Sequence, residues 1–268
     1  MQARSALFDL YGDYLRSRGG SAPVAALVRL LAPLGIGAPA VRTAVSRMVR
    51  QGWLRPTRST GGPGYELTPK AVRRVDEAAA RIYRTTPAPW KGSFDLLLVE
   101  PPPGRSARFR LAANLRYLGY GGLDGTSWIA PRAAVEVDAL LQESEVTARR
   151  FTAEPAGGLS EAVTLVRRAW DLEAIATAYQ KFVEELRPIV EPVGSGSGDT
   201  AGYVARFRLV HAWRAFLFRD PQLPAELLPD PWPGHTAARF FDRHARRLRR
   251  AADRYVQATL IGENSTLS

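Results

Sequence analysis

The chain has 268 residues, 46% of them hydrophobic, with six tryptophans and no cysteine. That length suits two or three domains with a sizeable core, and the missing cysteines exclude disulfides, thiolate metal sites and cysteine nucleophiles together. The net charge of +11 is unevenly placed: residues 1–90 carry fourteen basic and five acidic side chains, and eight arginines but no acid stand between Asp13 and Glu66.

The opening MQARSALFDLYGDYL carries Arg4, Asp9 and Asp13 and holds no apolar run of signal-peptide length. Residues 23–41 are mostly apolar, but three prolines, two glycines and Arg29 interrupt them, so they predict helices and turns rather than a membrane span. A soluble protein of the cytoplasm is expected.

Leu7, Leu10, Tyr11 and Tyr14 recur at helical spacing before Arg18-Gly-Gly stops the run. Val24, Leu27, Val28 and Leu31 predict a short second helix closed by Pro33 and Gly35. Pro39 suits the first turn of a third, with Val41, Ala44, Val45 and Met48 inward and Gly52 ending it. Residues 53–55 and 65–67 flank the turn STGGPG (59–64) and predict a hairpin, after which Pro69 opens a helix through Val72, Val75, Ala79 and Ile82. Helix, helix, helix, hairpin is the order of a winged helix-turn-helix.

The Pro-rich stretch 85–92 marks a boundary. Beyond it, strands at 94–100, 126–131 and 146–154 alternate with helices at 109–118 and 135–143, which predicts a small ferredoxin-like α/β domain. GYGGLDG (119–125) reads as a loop. From Leu159 the pattern is helical: Val163, Val166, Trp170, Ile175, Tyr179, Phe182 and Leu186 trace one apolar stripe, and PVGSGSGD (192–199) has linker composition. A helix over 204–218, a Pro-rich crossing over 220–234 and a last helix from about Thr236 to Leu260 complete the chain. The expectation is an α+β protein of three parts: a winged helix DNA-binding domain (1–86), a ferredoxin-like domain (87–157) and a C-terminal helical domain (158–268).

An arginine segment without acids is an electrostatic footprint for nucleic acid or another polyanion. Arginine outnumbers lysine 34 to 3, which accounts for the choice of base but not for the missing acids. With Val41, Val45 and Met48 inward, the third helix turns Arg42, Thr43, Ser46, Arg47 and Arg50 outward. Arginine forks two hydrogen bonds to guanine, and threonine and serine reach base edges or phosphates, so this face suits the DNA major groove. The hairpin adds Arg55 and Arg58, placed as a wing would place them for phosphate or minor-groove contact.

Enzyme signals are sparse. His211, His235 and His244 lack metal-ligand spacing, and no nucleophile elbow, P-loop or dinucleotide fingerprint is present. Asp95 and Glu100 could hold a divalent cation for nuclease chemistry, but a separation of five puts them on opposite faces of a regular strand. The chain is read as a non-enzyme with no cofactor and no metal. The apolar positions Trp170, Tyr179, Phe182, Trp213 and Phe216 read as core, and a pocket between the α/β and helical domains is the place expected for a small effector. The arginine-rich RFFDRHARRLRR (239–250) suits phosphate, an acidic partner or solvent equally.

LYGDYLRSRGG (10–20), VRTAVSRMVRQGWL (41–54), YELTPKA (65–71), RIY (81–83) and DPQLPAELLPDPWPGHTA (220–237) resemble, in order along nearly the whole chain, the PaaX family of transcriptional regulators. The resemblance implies a repressor of aromatic-acid, typically phenylacetate, catabolism. It also implies the same three-part layout, with a central domain that is a structural relative of a CRISPR adaptation nuclease. Release from the operator by an acyl-coenzyme A, usually phenylacetyl-coenzyme A, is implied as well, with no pocket assigned. The family's recognition face falls on Arg42, Thr43, Ser46, Arg47 and Arg50. The chain ends soon after Leu260, short of a tail that some members carry. The expected state is a homodimer on an inverted-repeat operator in double-stranded DNA.

Overall fold

A computed structural model describes residues 1–59, 62–82, 89–194 and 196–262. Residues 60 and 61 of the hairpin tip, the expected boundary at 86/87 and Ser195 of the linker stretch lie outside the described residues. The chain divides into two compact units, the first drawn from Met1–Tyr83, Phe182–Arg214 and Ala238–Ser268, the second from Arg84–Lys181 and Ala215–Ala237.

In the first unit, α1 (Ala3–Leu10) runs into a π-helical turn (Tyr11–Leu15) and a 3-10 turn (Arg16–Arg18), so the single predicted helix loosens over its last two turns. There follow β1 (Ser21–Pro23), α2 (Val24–Leu31), α3 (Ala38–Arg50), the hairpin of β2 (Leu54–Ser59) and β3 (Gly62–Leu67), and α4 (Pro69–Ile82). The hairpin strands are longer than predicted, and β1 is a third strand that the sequence did not announce. The antiparallel order is β1-β3-β2. Thr68 caps α4 by accepting the Ala71 amide at 3.3 Å, while its hydroxyl donates to the Gly52 carbonyl at 2.7 Å.

Leu7, Leu10, Val41, Met48, Leu54 and Leu67 are 5% exposed or less and share one core. Tyr203 and Phe207 of α9 (Asp199–Trp213) and Ala252 and Val256 of α10 (Pro233–Ile261) belong to that same core. The late helices therefore complete the apolar interior of the early ones. They also meet the early acids. Asp13 forms a buried ion pair with Arg206, whose guanidinium also donates to the Tyr14 hydroxyl at 2.9 Å and the Ala245 carbonyl at 3.1 Å. Asp9, 4% exposed, pairs with His211 and with Arg214, the latter at 2.5 Å.

In the second unit, β4 (Phe94–Val99), α5 (Arg105–Tyr117), β5 (Gly121–Gly122), β6 (Ser127–Ala130), α6 (Val137–Glu143) and β7 (Ala148–Ala153) build an antiparallel sheet of order β5-β6-β4-β7. Leu97, Val99 and Trp128 of the sheet bury against Leu111 and Leu115 of α5 and Val137 of α6. The stretch GYGGLDG is not all loop, since it supplies β5. Gly121 is required there by close approach: a Cβ would stand 2.6 Å from the Trp170 indole. The stripe predicted as continuous through Trp170 is broken. α7 (Gly158–Ala169) ends at Trp170 in extended backbone (φ −133°, ψ 141°), and Asp171 opens α8 (Leu172–Val190) by accepting the Ala174 amide at 2.9 Å. Tyr179 stacks on Phe216 at 4.1 Å. The predicted helix over 204–218 divides at residue 213 into α9 and a 3-10 turn (Arg214–Phe218). Among the described residues no helix is long and apolar enough to cross a membrane.

Candidate nucleic-acid interface

α3 begins without a side-chain cap. Its N-cap Gly37 is extended, Pro39 sits in the first turn, and that turn holds no acid, so the positive end of the helix dipole is left uncompensated by its own sequence. The helix closes on a Schellman motif: Trp53 N–H donates to the Met48 carbonyl at 2.9 Å and Gly52 N–H to Val49 at 3.0 Å, with Gly52 at φ +70°. This closure sets the direction in which the hairpin leaves. Trp53 then anchors the hairpin base, meeting Phe8 edge-to-face at 5.3 Å, with Lys70 over its ring at 5.6 Å.

Val41, Ala44, Val45 and Met48 are buried, whereas Arg42, Thr43, Ser46, Arg47 and Arg50 are exposed along one side of α3. Among the described residues, no carboxylate pairs with Arg42, Arg47, Arg50 or Arg58. Arg58 is exposed near the hairpin tip. Arg55 differs, because it stands opposite Glu66 in the β2–β3 register and donates to that carboxylate at 2.6 Å. Its charge is shared within the hairpin. Asp9 and Asp13 are turned inward and matched, which leaves the outer side of α3 a field of one sign. Lys70 is an exposed cation at the hairpin base that spacing alone did not single out, since it lies on the next helix.

The residues considered for metal chemistry are engaged elsewhere or stand apart. Asp95 accepts from Arg150 at 2.7 Å and from the Tyr120 hydroxyl, and Arg150 also reaches Asp138 at 3.2 Å. Burial and the bond to Asp95 hold the Tyr120 phenol well above its ordinary range. Glu100 lies just past β4 and is exposed. Among the described residues, no three histidine or acidic side chains gather as a metal site. His211 faces Asp9, His244 is buried beside Arg247, and His235 is exposed.

Residues 2–71 match the PaaX-like protein family, and residues 170–258 match the PaaX-like protein C-terminal domain. The chain is 31% identical over 270 residues to the transcriptional repressor PaaX of Escherichia coli (strain K12), an alignment covering 97% of this chain and 85% of that protein. An uncharacterized protein of Mycobacterium tuberculosis, Rv0674, shares the fold, with a TM-score of 0.64 and 24% identity over 96% of this chain and 99% of the other.

Proposed function

Because the chain belongs to the PaaX family, we propose that it is a sequence-specific DNA-binding transcriptional repressor that reads its operator with α3. The observation that carries the reading is the exposed, acid-free side of α3 bearing Arg42, Arg47 and Arg50. In this reading residues 1–86 are a winged helix-turn-helix, with β2 and β3 as the wing, residues 87–157 are a ferredoxin-like domain, and residues 158–268 are the helical domain. The β-α-β-β-α-β order and the β5-β6-β4-β7 sheet support the second assignment.

Two copies of the chain form a homodimer and set their α3 helices in major grooves about 34–36 Å apart, or a multiple of that, on an inverted repeat. Phosphate contacts supply much of the affinity and make it salt-dependent. The regulated genes belong to aromatic-acid catabolism of the phenylacetate type. An acyl-coenzyme A such as phenylacetyl-coenzyme A releases the operator by binding the DNA-free state more tightly. A nuclease reading has no support from Asp95, whose carboxylate is occupied by an ion pair with Arg150 and a hydrogen bond from the Tyr120 hydroxyl.

The test is a salt-titrated binding assay on the protein's own upstream region, with and without phenylacetyl-coenzyme A. Arg47→Ala is expected to lose about 1–3 kcal/mol of operator preference. Equal loss on random DNA would show that Arg47 touches phosphate alone, and no preference by the wild type would refute sequence-specific reading.

A further inference from the structure

Two concavities of the second unit flank the short strand β5. One, of about 340 Å³, is lined by Trp170, Ile175 and Ala178, with Arg116 and Arg219 among its wall residues. The other, of about 350 Å³, is lined by Val99, Leu111 and Trp128, with Arg108 and Arg116. Gly121 borders the first and Gly122 the second, and Arg116 borders both. Each is within the size range of small-molecule sites.

Three guanidinium groups stand against two carboxylates here, since Asp171 borders the first hollow and Asp124 the second. Asp171 accepts the Ala174 amide at 2.9 Å, and Asp124 accepts the amides of Thr126 and Ser127 at 2.7 and 2.6 Å. Those amides hold the Asp124 carboxyl down to about 2, so it serves its own turn as a fixed carboxylate. Arg116 lies over the Trp128 ring at 5.6 Å, and among the described residues Arg108 and Arg219 have no carboxylate partner. Surplus guanidinium groups around two indole-lined hollows suit one kind of molecule. A lone phosphate would leave the apolar walls unused, and a plain hydrocarbon would leave the arginines unused.

The geometry points to a ligand site across β5 for an elongated, phosphorylated molecule with an apolar end: the apolar end lies against Trp170, Ile175 and Ala178, and the phosphates lie on Arg108, Arg116 and Arg219. This rests on the acyl-coenzyme A reading given above and assigns that effector to the unit that lacks α3. Three of these side chains, Arg108, Arg116 and Arg219, are exposed, so their removal leaves the core intact.

The experiment is calorimetric titration of the full chain with phenylacetyl-coenzyme A, coenzyme A and phenylacetate. Wild type, Arg116→Ala, Arg219→Ala and, as a control, Arg110→Ala are compared. Arg110 is on the same helix but bonds Ser106 and borders neither hollow. The thioester is expected to bind best, because coenzyme A lacks the apolar end and phenylacetate lacks the phosphates. Arg116→Ala and Arg219→Ala are each expected to weaken the thioester by about tenfold or more, with Arg110→Ala unchanged. Wild-type affinity in both site variants, or an equal loss in the control, overturns the site and leaves the effector reading standing. Failure of the wild type to bind any of the three probes overturns both.

Discussion

Glu66 is the acid paired with the proposed DNA-binding surface. It holds Arg55 at 2.6 Å across the hairpin, with the Arg55 side chain 58% and the Glu66 side chain 27% exposed. Glu66→Gln keeps the shape and removes the charge, and a surface pair of this kind contributes at most about 1 kcal/mol, so the hairpin survives. The freed guanidinium becomes available to a phosphate. Each additional phosphate contact steepens the slope of log affinity against log salt by about 0.9. Between about 50 and 200 mM salt the variant then loses a further factor of about 3.5 for each bound copy, or about 12 for a pair. At the low-salt end it binds more tightly than the wild type. Fluorescence anisotropy on labelled operator and random duplexes across that salt range reads both effects. A wild-type slope and affinity in a variant with an unchanged circular dichroism spectrum would refute the reasoning, since Arg55 would then serve only the hairpin.

Three further outcomes follow from the packing of the first unit. Asp13→Ala strands the buried Arg206 guanidinium and is expected to lower stability by about 3–5 kcal/mol in urea unfolding followed by tryptophan fluorescence. The double variant Asp13→Leu with Arg206→Met should recover most of that loss, and a single variant within about 1 kcal/mol of wild type would contradict the assignment. Gly52→Ala forces a Cβ into the left-handed region at φ +70° and is expected to cost about 1–2 kcal/mol in the same assay and to weaken DNA binding through the misdirected hairpin. His244 is held below its ordinary pKa by burial first and by Arg247 second, and Arg247 donates to its Nδ1 at 3.2 Å. The folded state therefore takes up a proton less readily than the unfolded chain, so this contribution is complete above about pH 6.5 and is lost as the pH falls below it. Melting curves of His244→Leu over that interval should show a shallower acid decline than those of the wild type.

What spacing reveals and what it conceals divides along a physical line. The exposed arc of α3 is readable because Val41, Val45 and Met48 define the inner side of a helix by period alone, and Pro39 and Gly52 mark its ends. Three-residue β1 and two-residue β5 are too short to show alternation, and β5 is made of two glycines. The kink at Trp170 is hidden because Val166, Trp170 and Ile175 keep a nearly helical spacing through it. Only the Asp171 side chain, capping the next helix, betrays the break. Long-range pairing has no local signature. Nothing near Asp13 announces Arg206, and nothing near Arg55 reveals that Glu66 will stand opposite until the hairpin register is known. The meeting of Arg116 and Arg219 at one hollow beside β5 is concealed for the same reason, since they lie on distant segments.

The core that joins α9 and α10 to the first helices has a consequence for synthesis. Asp13 emerges from the ribosome 193 residues ahead of Arg206, and Tyr14 and Leu27 precede Val256 by still more. Helix α3, the proposed recognition helix, is thus made early but cannot settle on a finished interior until almost the whole chain has been translated. Meanwhile the intervening second unit, most of which is contiguous in sequence, is free to fold first. A nascent or prematurely terminated chain exposes the apolar sides of α1 and α2 and the carboxylates of Asp9 and Asp13 without Arg206 and Arg214, which marks it for chaperones or proteases before α3 has a finished core to rest on.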